Sequence, residues 1–134
     1  MKHILFVCVR NSGRSQMAEA FLNALGPEVA TAESAGTEPA EQLNPTVVQV
    51  MNEAGFDMSG QYPKVMDADM VARADRVITM GCDVDAGVCP AGYVASEDWA
   101  LEDPKGKPVE VVRGIRDEVR RKVEDMIRDL KTWP

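Results

Sequence analysis

Short apolar runs alternate with amphipathic stretches along the first part of the chain. Residues 3–8, HILFVC, form a nearly continuous apolar run, which is typical of a central parallel strand covered by helices on both faces. In residues 14–25 the apolar positions recur at helical spacing until Gly26 and Pro27 end the pattern. Residues 29–37 predict a second short strand that ends in a turn. The pattern therefore predicts strand, polar loop, helix and strand in that order.

The second helix has clear boundary signals. Asn44 is a good N-cap, Pro45 suits the first helical position, and Gly55 lies past the end of the apolar pattern. A short helix over 67–73 and a third strand over 76–80 follow.

A loop-rich segment and one long helix complete the chain. The segment 81–108 predicts mostly loop, with one strand near 92–96. From Val112 to Leu130, apolar residues recur every three or four positions between charged neighbours, which predicts a long amphipathic helix. Alternating strands and helices of this length predict an α/β fold with an open, mostly parallel sheet and helices on both sides.

Length and composition limit the class of protein. The 134 residues suffice for one hydrophobic core, so we expect a single domain over 1–134. A net charge of −7 and a pI near 4.7 argue against nucleic acid or an anionic membrane as partner, because their phosphates would be repelled. The N-terminus lacks a signal-peptide pattern, and no run approaches the roughly 18–20 apolar residues of a membrane helix. We expect a soluble, cytoplasmic monomer.

The three cysteines are Cys8, Cys82 and Cys89, and none of their spacings is C-x-x-C. An odd number fits poorly with a secreted disulfide framework, so reduced or redox-active thiols are the better interpretation.

The loop after the first strand has the composition of an anion site. It leads directly into a helix N-terminus, where unpaired N–H groups and the helix dipole favour negative charge. We expect Gly13 to allow a backbone angle that a side chain would forbid, and Arg14 to present a planar fork to two oxygens of the anion. The candidate oxyanion-binding residues are Val9, Arg10, Asn11, Ser12, Gly13 and Arg14.

Cys8 lies under this loop, at the end of the first strand. The amides that would hold an anion would also stabilise a thiolate, and Ser15 can add a hydroxyl hydrogen bond to the sulfur. These neighbours favour a nucleophile aimed at a bound oxyanion. The alternative is that Cys8 is a small buried hydrophobe that ends a strand.

The sequence C-V-R-N-S-G-R-S at 8–15 resembles the signature of low-molecular-weight protein tyrosine phosphatases and of arsenate reductases built on the same fold. The resemblance implies a three-layer fold with an open four-stranded parallel sheet flanked by helices. Four further stretches are similar to the thioredoxin-coupled arsenate reductases in order and spacing: SAGT at 34–37, CDVDAGVCP at 82–90, WALEDPKGK at 99–107 and RGIRDEVRRKVEDMI at 113–127.

This resemblance implies a thiol relay. Arsenate would bond to the Cys8 sulfur, Cys82 would attack that sulfur and expel arsenite, and Cys89 would attack Cys82 to leave a disulfide that thioredoxin reduces. Phosphate or sulfate can occupy the same site, and no cofactor is required. From the residues alone, Cys82 and Cys89 remain either redox partners or unrelated loop thiols. A metal pair is unfavourable because the single histidine, His3, begins a strand and is read as structural.

Asp103, before Pro104, matches the aspartate that serves these phosphatases as general acid, although an Asp before Pro is also common in turns. Asn11 is expected to hold the loop in shape, and Ser34 is placed like the family residue that hydrogen-bonds this asparagine. Glu19 is read as a solvated charge. The candidate catalytic residues are therefore Cys8, Arg14, Ser15, Cys82, Cys89 and Asp103, with loop support from Asn11 and Ser34.

Two departures from the family pattern change the expectations. Gly13 stands where several relatives have an additional cysteine. Lys64 stands where some relatives have an aspartate of a potassium site, whose other members correspond to Asn11, Glu19 and Ser34. An ammonium group there would compete with the ion, so we predict no metal dependence.

Two other functions remain open. One is a tyrosine phosphatase, although the segment after Asp103 and Pro104 lacks the tyrosines that would flank an aromatic substrate. The other is a non-catalytic oxyanion-binding or redox-sensing regulator, which would not turn over arsenate.

Overall fold

The computed structural model describes residues 1–81 and 97–132. Its strands are β1 (Lys2–Cys8), β2 (Ala30–Gly36), β3 (Arg76–Thr79) and β4 (Glu97–Asp98). These four strands form one parallel sheet, as the resemblance implies, and their order in the sheet is β2-β1-β3-β4. The helices are α1 (Arg14–Leu25), α2 (Pro45–Glu53), α3 (Ala68–Arg73) and α4 (Val109–Thr132).

The predicted elements agree closely with the observed ones. Residues 14–25 and α1 have the same bounds, and the other predicted helices and the first three strands differ only at their ends. The strand predicted near 92–96 lies outside the described residues, as do Cys82 and Cys89. The fourth described strand is Glu97–Asp98.

Strand β1 lies inside the sheet and separates two apolar layers. Ile4, Phe6 and Cys8 point to the larger layer, which α1, α2 and α4 cover, whereas Leu5 and Val7 point to a smaller layer with α3. This alternation explains the continuous apolar run, because both faces of a central strand are buried. The predicted three-layer α/β fold is confirmed.

Local signals explain the helix boundaries. The Asn44 side chain accepts a hydrogen bond of 2.9 Å from the backbone N–H of Thr46, and Pro45 is the first residue of α2. Gly55 follows the helix with φ +88°, a conformation that favours glycine. Helix α4 packs one stripe of buried side chains against α1 and α2 and exposes its charged face. No helix within 1–81 and 97–132 is long and apolar enough to cross a membrane.

His3 belongs to a surface network that joins β1 to β2 and α3. Its ring contacts the Thr31 hydroxyl at 2.9 Å and the Glu33 carboxylate, and Arg73 makes two hydrogen bonds of 2.8 Å to Glu33. Burial, the largest single influence, raises the pKa of Glu33, but the hydrogen bonds and charges of Arg73 and His3 together hold it below its ordinary value. This position agrees with the structural role predicted for His3.

Candidate functional site

The loop between β1 and α1 lines a cavity of about 250 Å³ at the carboxyl edge of the sheet. The register pairs Cys8 with Gly36 and Val7 with Thr79, so the ends of three strands meet at this edge. Such an edge is where open α/β sheets bind ligands. The cavity brings together these predicted site residues: Cys8, Val9, Arg10, Ser12, Gly13, Arg14 and Asp103.

The sulfur of Cys8 is surrounded by hydrogen-bond donors. The backbone N–H of Asn11 donates to Sγ at 3.2 Å, and the Ser15 hydroxyl lies 2.8 Å from it. Because the Ser15 oxygen accepts a 2.8 Å hydrogen bond from the Asn11 side-chain amide, its own proton is available for the sulfur. These two contacts hold the sulfur in one position at the edge of the cavity.

Asn11 provides the unusual backbone conformation of the loop. Its φ is +51°, in the left-handed region, where asparagine is tolerated better than most residues. For Gly13 we expected a backbone angle that a side chain would forbid; its φ of −139° and ψ of −94° lie outside the helical, extended and left-handed regions. Space is limited there as well, since a Cβ would lie 2.9 Å from Cγ of Pro104.

Arg14 is buried and held by backbone carbonyls. Its Nη1 donates to the carbonyl oxygens of Met80, Gly81 and Leu101 at 2.9, 3.2 and 2.7 Å. These bonds hold the guanidinium group in one orientation and tie α1 to the chain at the ends of β3 and β4. Nη2 is not used by these carbonyls and can meet an oxyanion in the cavity.

Asp103 lies on the same cavity as Cys8 and Arg14. Its Oδ2 is 3.9 Å from Nη2 of Arg14, its side chain is partly exposed, and its Oδ1 accepts a 3.0 Å hydrogen bond from the backbone N–H of Lys105. The structure thus brings Asp103, which we predicted as the general acid, to the cavity that Cys8 and Arg14 line.

Ser34 and Glu19 differ from their predictions. The Ser34 hydroxyl donates to Glu19 Oε1 at 2.7 Å, and no hydrogen bond within the described part of the chain joins it to Asn11. Glu19 is therefore not a solvated charge: its side chain is 13% exposed, and the Lys64 ammonium lies 3.7 Å from the same oxygen. Lys64 also donates its backbone N–H to Asn11 Oδ1 at 2.8 Å. The sequence could not reveal this pairing, because it depends on where the segment around Lys64 crosses the loop.

Two glutamines of the site were not predicted. Gln16 is fully buried and donates to Asn11, and Gln61 donates to Gln16. A sequence signal for Gln16 existed: it stands three residues after the N-cap Gly13, where a glutamine can reach back to the preceding loop. No comparable signal marks Gln61.

The two remaining predicted thiols, Cys82 and Cys89, lie outside the described residues. Gly81, which precedes Cys82, donates its N–H to Asp98 at 2.8 Å and accepts from Arg14. Within 1–81 and 97–132, no cluster of three His, Cys, Asp or Glu side chains could hold a metal ion.

Residues 3–133 match the low molecular weight phosphotyrosine protein phosphatase family, and the chain belongs to this family. Several of its relatives are named arsenate reductases. The glutaredoxin arsenate reductase of Synechocystis sp. is 40% identical over 131 residues, 95% of this chain and 97% of that protein. The arsenate reductase of Bacillus anthracis is 37% identical over 125 residues, 92% of each chain.

Solved structures with the same fold have the names of two kinds of enzyme, arsenate reductases and phosphatases. An arsenate reductase in the phosphate binding state has a TM-score of 0.80 at 40% identity and covers 97% of this chain and 99% of its own. The Corynebacterium glutamicum thioredoxin-dependent arsenate reductase has a TM-score of 0.78 at 30% identity, over 98% of this chain and 62% of its own. The YwlE arginine phosphatase of Geobacillus stearothermophilus has a TM-score of 0.81 at 26% identity, over 98% of this chain and 94% of its own.

Proposed function

We propose that this protein is an arsenate reductase that works through a relay of three thiols and is reduced by thioredoxin. The observation that carries the proposal is the Cys8 sulfur, which contacts the Asn11 N–H and the Ser15 hydroxyl at a cavity that Arg14 and Asp103 also line. The names of the relatives support the substrate, because these proteins align over nearly the whole chain.

The chemistry begins with arsenate in the loop formed by residues 9–13, held by backbone N–H groups and by Nη2 of Arg14. The Cys8 thiolate bonds to arsenic, and an oxygen leaves as water after Asp103 supplies a proton. The Cys82 thiol then attacks the Cys8 sulfur, and arsenic departs with the electron pair of the sulfur–arsenic bond as arsenite. One arsenate and two thiols thus yield one arsenite, one disulfide and one water.

In the second half of the relay, Cys89 attacks the Cys82 sulfur of the 8–82 disulfide. Cys8 is released as a thiolate, and the resulting 82–89 disulfide awaits reduction by two electrons from outside the chain. The presence of both loop cysteines in the sequence supports this route. Such a cycle requires a reducing compartment, which supports the cytoplasm as its location. We propose that the chain acts as a monomer with a single domain over 1–134.

The reductant has two candidates among the relatives. One relative is named a thioredoxin-dependent reductase at 30% identity, and another is named a glutaredoxin reductase at 40% identity. We favour thioredoxin because a disulfide between two cysteines of one loop can be reduced by dithiol exchange alone, without a bound small thiol.

Tyrosine phosphatase activity is the second candidate function. The family and the site residues Cys8, Arg14 and Asp103 favour it. Against it, the described residues that line the cavity include no aromatic side chain that would flank a phenyl ring. We further propose that turnover is independent of potassium, because the Lys64 ammonium lies beside Glu19 at 3.7 Å.

Steady-state NADPH consumption with arsenate, thioredoxin and thioredoxin reductase tests the proposal, with a parallel assay in which glutaredoxin, glutathione and glutathione reductase replace the thioredoxin system. We expect turnover in the first assay and little in the second. Turnover only with glutaredoxin would refute the thioredoxin coupling. No arsenate-dependent oxidation in either assay would refute the arsenate reductase itself, and hydrolysis of an aryl phosphate by the same preparation would then identify a phosphatase.

A further inference from the structure

Gln16 is a buried polar residue whose role the anion cavity does not explain. It lies in the first turn of α1, is 0% exposed and is not among the residues that line the cavity. A primary amide carries two donor hydrogens and an acceptor oxygen, and burying it without partners would be unfavourable. The hydrogen-bond partners of the Gln16 amide therefore indicate its role.

The nitrogen of this amide faces three oxygens. Nε2 donates to the backbone oxygen of Asn11 at 3.0 Å, to Asn11 Oδ1 at 3.0 Å and to the backbone oxygen of Tyr62 at 2.9 Å. Gln61 fixes the other end, because its Nε2 donates to Gln16 Oε1 at 2.8 Å and to the Gln16 backbone oxygen at 3.0 Å. The amide can satisfy these partners in one orientation only.

The residue held in this way is the one with the unusual backbone. Asn11 has φ +51°, which costs on the order of 1 kcal/mol for a residue with a Cβ unless other contacts stabilise it. Gln16 donates hydrogen bonds to both the peptide oxygen and the side-chain oxygen of Asn11, so it restrains the backbone and the side chain together. Asn11 in turn reaches Cys8 by two routes: its backbone N–H donates to Sγ at 3.2 Å, and its side-chain Nδ2 donates to the Ser15 hydroxyl, which lies 2.8 Å from Sγ.

We propose that Gln16 is a positioning residue that sets the reactivity of Cys8 by holding Asn11 in its left-handed conformation. Gln16 acts on the sulfur through Asn11 and touches neither the anion nor the sulfur itself. Removal of its donors should therefore lower the reactivity of Cys8 more than the affinity for an oxyanion. The proposal deepens the proposed function, but it can be measured without arsenate.

The test is Gln16→Met, which keeps the length and helical preference of the side chain and removes both donors. The rate at which iodoacetamide alkylates Cys8 at pH 7, followed by peptide mass spectrometry, should fall about tenfold, the size expected for one hydrogen bond to a charged group. The kcat for arsenate should fall by a similar factor, whereas the Kd for inorganic phosphate from calorimetry should change by less than about threefold.

Leu22→Ala is the matched control for stability. Leu22 is fully buried in the second half of α1, so the variant weakens the core at a distance from the loop. We expect a lower Tm than in Gln16→Met, with the Cys8 alkylation rate of the parent. This separates a loss of positioning from a general loss of stability.

Gln61→Met gives a second, milder variant, because it frees the amide of Gln16 to rotate and leaves Gln16 in place. Its alkylation rate should fall about threefold. An alkylation rate in Gln16→Met equal to that of the parent would overturn the proposal, as would a loss of phosphate affinity as large as the loss of kcat. If Gln16→Met fails to fold, a parent-like rate in Gln61→Met overturns it. A parent protein that does not reduce arsenate would refute the proposed function, while the alkylation rates still decide this inference.

Discussion

Replacement of Arg14 by lysine would separate two tasks that its guanidinium group performs. Nη1 holds three backbone carbonyls, those of Met80, Gly81 and Leu101, at 2.7–3.2 Å. Nη2 lies toward the cavity, 3.9 Å from Asp103. A lysine ammonium is a single compact charge, so it can satisfy the carbonyls or meet the anion, but not both.

The structure indicates which task would be lost. The carbonyl contacts are short and buried, so we expect the ammonium to remain there and the anion to lose its charged partner. The charge-assisted hydrogen bond that Nη2 can donate to the anion contributes ~1.5–3 kcal/mol. Since ~1.4 kcal/mol corresponds to a factor of ten, phosphate affinity and kcat/KM for arsenate should each fall roughly 10- to 100-fold.

Stability should respond much less than binding. Because the lysine still supplies a charged donor to the carbonyls, the free energy of unfolding in urea should fall by only ~1 kcal/mol. Arg14→Met, which leaves the buried carbonyls without this donor, should lose more, ~1–3 kcal/mol for each carbonyl left unsatisfied. Calorimetry with phosphate, steady-state arsenate reduction and urea unfolding on the three proteins would complete the comparison. Phosphate binding by Arg14→Lys within threefold of the parent would refute this account of Arg14.

Three further changes have defined outcomes. Cys8→Ser should abolish arsenate reduction and leave the unfolding curve unchanged, because a serine hydroxyl stays protonated; more than a small residual activity would contradict the mechanism. Cys89→Ala should allow one turnover and then accumulate a disulfide between Cys8 and Cys82, which mass spectrometry would detect. Undiminished steady-state turnover would show that Cys89 takes no part in the relay. Gly81→Ala should destabilise the protein by ~1–3 kcal/mol in urea, because Gly81 has φ +102° and a Cβ there would lie 2.7 Å from a backbone oxygen. Gly55→Ala is its control, with φ +88° and open space around the Cβ, and an equal effect of both would show that the close contact is unimportant.

Signals that lie within a few residues of each other predicted most of the fold. The Asn44 and Pro45 pair, the Gly26 and Pro27 stop and the apolar periodicity of α4 act locally, so the sequence alone located these helices. The loop at Cys8 was recognised for the same reason, because its donors, its glycine and the following helix are contiguous.

The contacts that the sequence could not predict come from distant segments. The space at Gly13 is limited by Pro104, a residue of a distant segment that the fold brings next to the loop. Ser34 has a hydroxyl that suits either Asn11 or Glu19, and the choice depends on side-chain positions in two different elements. The three carbonyls around Arg14 are likewise assembled only when β3 and the chain after β4 are in place.

The conformation of Asn11 has a consequence for which amino acids this position can accept. Glycine would adopt φ +51° easily but would lose the side-chain bonds to Ser15, Gln16 and the Lys64 N–H. Aspartate would keep the acceptor but lose the donor to Ser15, and would place a negative charge close to the Cys8 sulfur. Alanine would meet neither requirement. Asparagine combines tolerance of the left-handed region with one donor and one acceptor, so a library randomised at position 11 and selected for arsenate resistance should return to asparagine.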